Sequence, residues 1–241
     1  MSNAISKAAY SERERIALAC RYLSEQGHGN TLAGQISLKR DDGSFWTTEF
    51  STGFADASVS NLVRIDSNLD VIEGTGSANP ATRFHLWIYS KRPDVRSVVH
   101  THPPHASALA MCGQPLVVCH MDMMMFYEDV AQLETWPGVP LADEEGRIIS
   151  GALGDKSSIL LANHGLLTTG DTLDRAVYLA ANLEAAARLQ LLSASAGYSS
   201  LKVEPALAKE AKRFLTSGKF VEATFEYWCR QAARRHPEAL K

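Results

Sequence analysis

The sequence predicts an α/β protein in which helices cover a central sheet. Segments with helical spacing of apolar residues alternate with short β-branched segments, and no linker, repeat or low-complexity stretch interrupts them. Hydrophobic residues make up 45% of the 241 residues, which is enough for a sizeable core. We therefore expect a single domain over residues 1–241.

The predicted helices begin at residues that commonly cap helices. Ser11 and Glu14 form a capping box that opens an amphipathic helix, and Asn79-Pro80 combines an N-cap with proline at the first helical position. Asp171 and Asp174 open a long Ala- and Leu-rich helix. The five predicted helices span about 11–26, 79–91, 105–111, 171–195 and 205–235.

Strands are predicted where β-branched and aromatic residues cluster between turn-forming residues. The six predicted strands span 35–38, 44–48, 62–65, 94–102, 116–119 and 157–162. Two of them end in histidine motifs. Residues 94–102 end in His100-Thr101-His102, which Pro103-Pro104 terminates, and residues 157–162 lead into the tight turn Asn163-His164-Gly165.

The two histidine motifs predict a metal site. Residues i and i+2 of a strand point to the same face, so the imidazoles of His100 and His102 can bind one divalent ion. His164 on another turn completes a set of three protein ligands and leaves positions open for water or substrate. Three imidazoles suit Zn, Mn, Fe or Co. The alternative is a strand end with solvated rings, which the second motif makes less attractive.

Composition excludes several kinds of partner. The formal net charge is -3 and charged residues make up 21%, so neither a nucleic acid nor a membrane is expected as a partner. No apolar run is long enough for a transmembrane helix, and the first fifteen residues lack the apolar core of a secretory signal. The four cysteines show no CxxC spacing and are expected to be reduced thiols of a cytoplasmic protein.

The chain resembles the class II aldolase/adducin family from about residue 10 to residue 230. The resemblance is carried, in order, by Gly34–Ser37, the segment PATRFHLWIY (80–89), Arg92–Asp94, VVHTH (98–102), Asn163–Gly165 and LEAAARLQL (183–191). It implies a three-layer α/β/α fold with a central mixed, largely antiparallel sheet. It also implies one divalent metal ion on His100, His102 and His164, and a homotetramer with sites at subunit interfaces.

Four departures from the family pattern narrow the function. Ala81 stands where the sugar-phosphate aldolases carry a catalytic Glu, and a methyl group can neither move a proton nor ligate an ion. In the phosphate-binding segments, Leu32 replaces a Thr, Gln35 replaces an Asn, and Asn79-Pro80 replaces Ser-Ser. The chain thus resembles the decarboxylase-like members of the family, and we expect a substrate without a phosphate.

Several residues are candidates to complete the site. Arg83 can bind a substrate carboxylate bidentately, although a surface salt bridge is an equal alternative. The other substrate-binding candidates are Gln35, Thr52 and Gly53. By resemblance, the candidate proton donors are Tyr127 or His120, from a region that reaches a neighbouring subunit, and Tyr227 in the C-terminal segment. His85 is interpreted as structural.

These features predict a divalent-metal-dependent lyase that cleaves a carbon-carbon bond, by decarboxylation or retro-aldol cleavage. The expected substrate is a small non-phosphorylated hydroxy, keto or hydroxy-aromatic carboxylic acid, because such acids offer two oxygens to one ion. Three alternatives stay open at this point: a sugar-phosphate aldolase or epimerase, an Fe(II) oxygenase on the same three histidines, and a non-catalytic adducin-like scaffold.

Overall fold

A computed structural model describes residues 10–29, 31–138, 143–197 and 199–241. Within these ranges eight strands form one sheet. The strands are β1 (Gln35–Lys39), β2 (Phe45–Thr48), β3 (Leu62–Ile65), β4 (Val71–Glu73), β5 (Ser97–Thr101), β6 (Val130–Leu133), β7 (Ser158–Leu161) and β8 (Leu166–Gly170). Their order is β4-β3-β2-β1-β5-β8-β7-β6, and all neighbours are antiparallel except β6 and β7. The predicted mixed, largely antiparallel sheet is confirmed.

Helices cover both faces of this sheet. The helices are α1 (Glu12–Glu25), α2 (Arg83–Lys91), α3 (Pro104–Met111), α4 (Asp143–Leu153), α5 (Leu173–Ser195), α6 (Pro205–Leu215) and α7 (Gly218–Arg235). One core cluster joins a sheet face to α1, α3, α5, α6 and α7, and the other joins the opposite face to α2 and α4. Val98 and Val99, adjacent on β5, enter different clusters. The three-layer α/β/α prediction is therefore confirmed. In the described residues no helix has the length and apolar character needed to cross a membrane.

Local signals located most helix starts correctly. The Ser11–Glu14 capping box is present, with Ser11 N donating to the Glu14 carboxylate at 2.6 Å. The prediction that Asp171 and Asp174 open α5 was wrong in detail, because Thr172 is the N-cap and accepts from Arg175 N at 3.2 Å. The predicted helix 205–235 is two helices, α6 and α7.

Two other differences concern strands. Residues 116–119 were predicted as a strand, yet they pair with no strand in the described part of the chain. Instead the side chain of Gln190 on α5 accepts from Val117 N at 2.7 Å and donates to Pro115 O at 2.9 Å. Four elements of the structure were not predicted from the sequence: β4, β6, β8 and α4. β4 and β6 are the edge strands, whose short segments carry little periodicity.

A charged cluster holds three helices together at the sheet end where β8 stops. Arg15 on α1 bonds to Asp174 on α5 and to Glu226 on α7, and both carboxylates are largely buried. The guanidinium also lies 5.0 Å from the ring centroid of Phe225. Because one cation neutralises part of two buried negative charges, its removal leaves both uncompensated.

We expect Arg15→Met to lower the free energy of unfolding by about 3 kcal/mol, the usual cost of breaking a buried ion pair. Urea unfolding followed by circular dichroism measures this loss. Arg147→Met is the matched control, because Arg147 pairs with Glu144 on an exposed helix surface, and no measurable change is expected there. Equal losses in the two variants would contradict the assignment.

Candidate metal centre

Strand β5 carries two of the candidate ligands and lies near the middle of the sheet. Its neighbours β1 and β8 set its register, with His100 opposite Gln35 on one side and Leu167 on the other. His100 faces α2, where the Phe84 ring meets it edge-on at a centroid distance of 5.0 Å. His102 follows directly after the last residue of the strand.

The third histidine lies on the turn that joins β7 to β8. Asn163 adopts φ +52°, a left-handed conformation that asparagine tolerates better than most residues. Gly165 approaches β5 so closely that a Cβ there would lie 2.4 Å from Thr101 O. Glycine at this position therefore lets the turn bring His164 against the end of β5.

The three imidazoles form a compact cluster. Their ring centroids are 4.5 to 4.8 Å apart, and one nitrogen from each ring lies within 4.8 Å of the others. His100 Nε2 and His102 Nε2 are 3.0 Å apart. Two nitrogens bound to one Zn²⁺ at ~2.1 Å in tetrahedral geometry are about 3.4 Å apart, so the spacing is close to that of a metal site.

Hydrogen bonding and burial prepare the imidazoles for ligation. His100 Nδ1 donates to Leu166 O at 2.8 Å, which leaves the Nε2 lone pair facing the cluster. Burial lowers the pKa of His100 well below its ordinary value, with the neighbouring His164 and His102 adding to the effect. Burial also lowers the pKa of His102, and burial together with His102 lowers that of His164 to about 4. Neutral imidazoles are the form that binds metal, so the residues fit a divalent ion.

Gln35 on β1 is paired with His100 on the neighbouring strand β5, and both side chains lie on the same face of the sheet. Only 2% of Gln35 is exposed. Its Nε2 donates to Ala33 O at 2.9 Å, which turns Oε1 away from that carbonyl. Oε1 has no hydrogen-bond partner among the described residues. A buried acceptor without a partner is costly, so this oxygen is a candidate contact for a bound ligand.

The segments that resemble a phosphate loop come together, but their polar groups are engaged elsewhere. Asn79 donates to Leu32 O at 3.2 Å, and a Cβ on Gly53 would lie 3.8 Å from the Leu32 side chain. The hydroxyls of Ser51 and Thr52 both donate to the Glu49 carboxylate. An internal anion therefore holds the hydroxyls that an incoming phosphate would need.

At the start of α2, the position where sugar-phosphate aldolases carry a catalytic Glu is Ala81, which cannot act as an acid or base. Ala81 lies in the helical turn Pro80–Thr82, about one turn before Phe84. Arg83 contacts Asp143 at 3.5 Å in a pair whose side chains are 36% and 67% exposed. Such a pair contributes little stability, and Arg83 can exchange it for another carboxylate at low cost.

The three proton-donor candidates lie outside the histidine cluster of their own chain. Tyr127 packs against the core cluster on the α5 side of the sheet, opposite to His100. His120 caps the turn Met121–Phe126 by accepting from Asp122 N at 3.1 Å. Tyr227 lies on α7 and is 52% exposed. Their roles stay predictions.

Two polar contacts behind the metal strand were not predicted from the sequence. His28 Nδ1 lies 2.8 Å from Thr101 Oγ1, on the sheet face opposite to His100. Glu184 on α5 bonds to the start of α3 and to His105. His28 stood in a segment interpreted as a helix end, and no spacing linked it to β5. Glu184 offered a weak signal, as a single acid among the apolar residues of 183–187.

The chain is similar in sequence to a known protein family and to two decarboxylases. The family model described as "Class II Aldolase and Adducin N-terminal domain" matches residues 14–191. The decarboxylase NovR of Streptomyces niveus is 31% identical over 188 residues, covering 76% of this chain and 70% of NovR. The 3,4-dihydroxyphthalate decarboxylase of Arthrobacter keyseri is 31% identical over 197 residues, covering 77% and 79% of the two chains.

A solved structure shares the fold. The L-fuculose 1-phosphate aldolase of Glaciozyma antarctica PI12 superposes with a TM-score of 0.85 at 28% identity. The superposition covers 95% of this chain and 91% of the aldolase. Decarboxylases and an aldolase are thus both similar to this chain.

We expect His28 to make the metal-free protein acid-sensitive. Burial lowers the pKa of His28 to about 3, while an unfolded histidine has a pKa near 6.5. Between these values the unfolded chain binds a proton that the folded chain excludes, so stability falls as the pH falls. From pH 6.5 to pH 4.5, the wild type should lose roughly 2 kcal/mol more unfolding free energy than His28→Gln. Urea unfolding at both pH values measures it, and equal losses would refute this role of His28.

Proposed function

The chain belongs to the class II aldolase and adducin family, and from this premise we propose that it is a metal-dependent decarboxylase of non-phosphorylated hydroxy or hydroxy-aromatic carboxylic acids. The observation that carries the proposal is the cluster of three neutral imidazoles with one nitrogen each within 4.8 Å. Retro-aldol cleavage of a similar acid is the alternative lyase reaction.

His100, His102 and His164 would hold one divalent ion, whether Zn, Mn, Fe or Co. When bound, such an ion supplies a Lewis acid next to an oxygen that gains negative charge. The Leu166 carbonyl keeps the His100 ring oriented by accepting from Nδ1. Three protein ligands leave coordination positions open for two substrate oxygens.

The substrate proposed here carries no phosphate. Leu32 offers an apolar side chain where a hydroxyl would grip a phosphate, and the Ser51 and Thr52 hydroxyls are already bonded to Glu49. The negative charge of the Glu49 carboxylate also repels a phosphate dianion. Thr52 and Gly53 then contact the uncharged part of the substrate, while Arg83 binds a carboxylate.

Ala81 favours decarboxylation over retro-aldol cleavage. Retro-aldol cleavage requires a base to remove the hydroxyl proton, and a methyl group provides none. A carboxylic acid is already ionised at neutral pH, so loss of CO₂ needs no base for that group. In a hydroxy-aromatic acid, a proton first adds to the ring carbon that bears the carboxylate, and the conjugated oxygen stabilises the resulting intermediate. The carbon-carbon bond then breaks, its electrons restore the aromatic ring, and CO₂ leaves. Gln35 Oε1 orients the substrate by accepting from its hydroxyl.

A second copy of the chain completes the proposed site. Tyr127, His120 and Tyr227 lie outside the histidine cluster of their own chain, so we propose that the proton donor is one of them and comes from a neighbouring subunit. A homotetramer of one-domain chains spanning 1–241, located in the cytoplasm, is part of the same proposal. No nucleic acid or membrane takes part.

We expect elemental analysis to find close to one transition metal ion per chain in the wild type and none in His102→Ala. His120→Ala is the matched control, because its exposed ring lies outside the cluster, and it should keep the metal. Zinc or manganese directs the next assay to anaerobic CO₂ release, and iron directs it to oxygen uptake, which would favour the oxygenase alternative. Absence of metal from the reconstituted wild type would favour an adducin-like scaffold.

We expect Gln35→Leu to lower kcat/KM at least tenfold for a hydroxy-aromatic acid, because a buried hydrogen bond to the substrate hydroxyl is lost. The same acid with that hydroxyl methylated is the control, since it has no proton to donate. Its kcat/KM should be low in the wild type and should not fall further in the variant. Equal losses for both acids would contradict the proposed contact, and faster turnover of a sugar phosphate would favour the aldolase alternative.

A further inference from the structure

We infer that Glu184 is a positioning residue for the metal ligand His102. This inference rests on the metal site of the proposed function and adds a residue that lies outside the ligand set. Glu184 belongs to α5, is 6% exposed, and faces the start of α3 immediately after the metal strand. Among the described residues, the hydrogen bonds of its carboxylate all go to the first turn of that helix.

Three donors from α3 meet this one carboxylate. Oε1 accepts from His105 N at 3.1 Å and from His105 Nδ1 at 2.6 Å, and Oε2 accepts from Ala106 N at 2.8 Å. His105 is thereby turned toward α5 and is outside the cluster of metal-ligating nitrogens. Both oxygens of Glu184 are used, so its arrangement depends on two acceptor atoms.

The residues just before α3 cannot accept hydrogen bonds from the free backbone N–H groups of its first turn. Pro103 is the N-cap and Pro104 the first helical residue, and neither has a backbone N–H. Pro103 also lacks the side-chain oxygen with which Ser, Thr, Asp or Asn caps a helix. The first free N–H groups belong to His105 and Ala106, and a carboxylate from a distant helix supplies the missing cap. Its negative charge also suits a helix N-terminus.

The two prolines connect this cap to the metal ligand. The ladder with β8 holds β5 up to Thr101, and Glu184 holds the chain from His105 onward. Between these anchors lie only His102, Pro103 and Pro104, and each proline ring fixes its φ. A shift of α3 is therefore passed to His102 rather than absorbed. Glu184 sets the position of the His102 ring through this stiff link.

The test measures metal binding directly. Zn²⁺ affinity is determined by competition with a chromogenic chelator, and the visible absorption spectrum of the Co²⁺-loaded protein reports ligand geometry. In Glu184→Gln one oxygen becomes an NH₂ group that faces a backbone N–H. We expect the Zn²⁺ Kd to rise about 10- to 100-fold, the usual effect of losing a group that orients a ligand. The Co²⁺ spectrum should change as well.

Asp174→Asn is the matched control, since Asp174 is another buried carboxylate of α5 and lies at the opposite end of the sheet. It should be less stable than the wild type and yet bind Zn²⁺ with a Kd within twofold of it. His105→Ala removes one of the three bonds and keeps both backbone contacts. A smaller rise in Kd is expected for it, about severalfold, and this variant carries the test if Glu184→Gln does not fold.

The outcomes separate this inference from the proposed function. A wild type that binds neither Zn²⁺ nor Co²⁺ would overturn the metal site and the role of Glu184 together. A wild type that binds Zn²⁺ while Glu184→Gln, or His105→Ala in its place, binds with the same Kd and the same Co²⁺ spectrum would overturn the positioning role alone. Equal losses of affinity in Glu184→Gln and Asp174→Asn would also overturn it, because they would reflect stability.

Discussion

The register between β5 and β8 is the constraint on which the candidate site depends. It aligns His100 with Leu167 and brings the Leu166 carbonyl within 2.8 Å of His100 Nδ1. Strand β8 begins directly after the turn that carries His164, and β5 ends against that turn. A shift of one residue would turn His100 to the opposite face, against α5 instead of α2. The three histidines therefore converge only because this ladder is aligned as it is.

Two polar assemblies with different physical requirements lie at opposite ends of the sheet. At the end where β8 stops, Arg15 compensates Asp174 and Glu226 and joins α1, α5 and α7. At the end where β5 stops, neutral imidazoles lie together, and the Glu184 carboxylate contacts the start of α3, which follows β5 in the chain. Helix α5 contributes an acid to each assembly. Asp174, in its first turn, helps to hold the helices α1, α5 and α7 together. Glu184, in its middle, holds the start of α3, next to His102.

The residues around the histidine cluster limit which substrates and reactions the site can support. Glu49 uses the hydroxyls of Ser51 and Thr52, Leu32 presents an apolar surface, and Ala81 supplies no proton-transfer group. The buried oxygen of Gln35, on the strand paired with His100, has no hydrogen-bond partner among the described residues, and neither does Nε2 of the nearby His85. An ionised substrate that provides its own charge, needs no base and donates one hydrogen bond is the best match for these surroundings.

The sequence by itself determined the α/β class, most helix starts and the three-histidine set, because capping residues, β-branched runs and the i, i+2 spacing on a strand are local signals. Resemblance to a family added the layer order and the departures at Leu32 and Ala81. Only the tertiary structure decided that β4 and β6 close the sheet edges, that Gln190 rather than a strand pairs with residues 115–117, and that Glu184 caps α3. The Gln190 and Glu184 contacts join residues more than 70 positions apart, and side-chain hydrogen bonds at that separation depend on packing that no local pattern encodes.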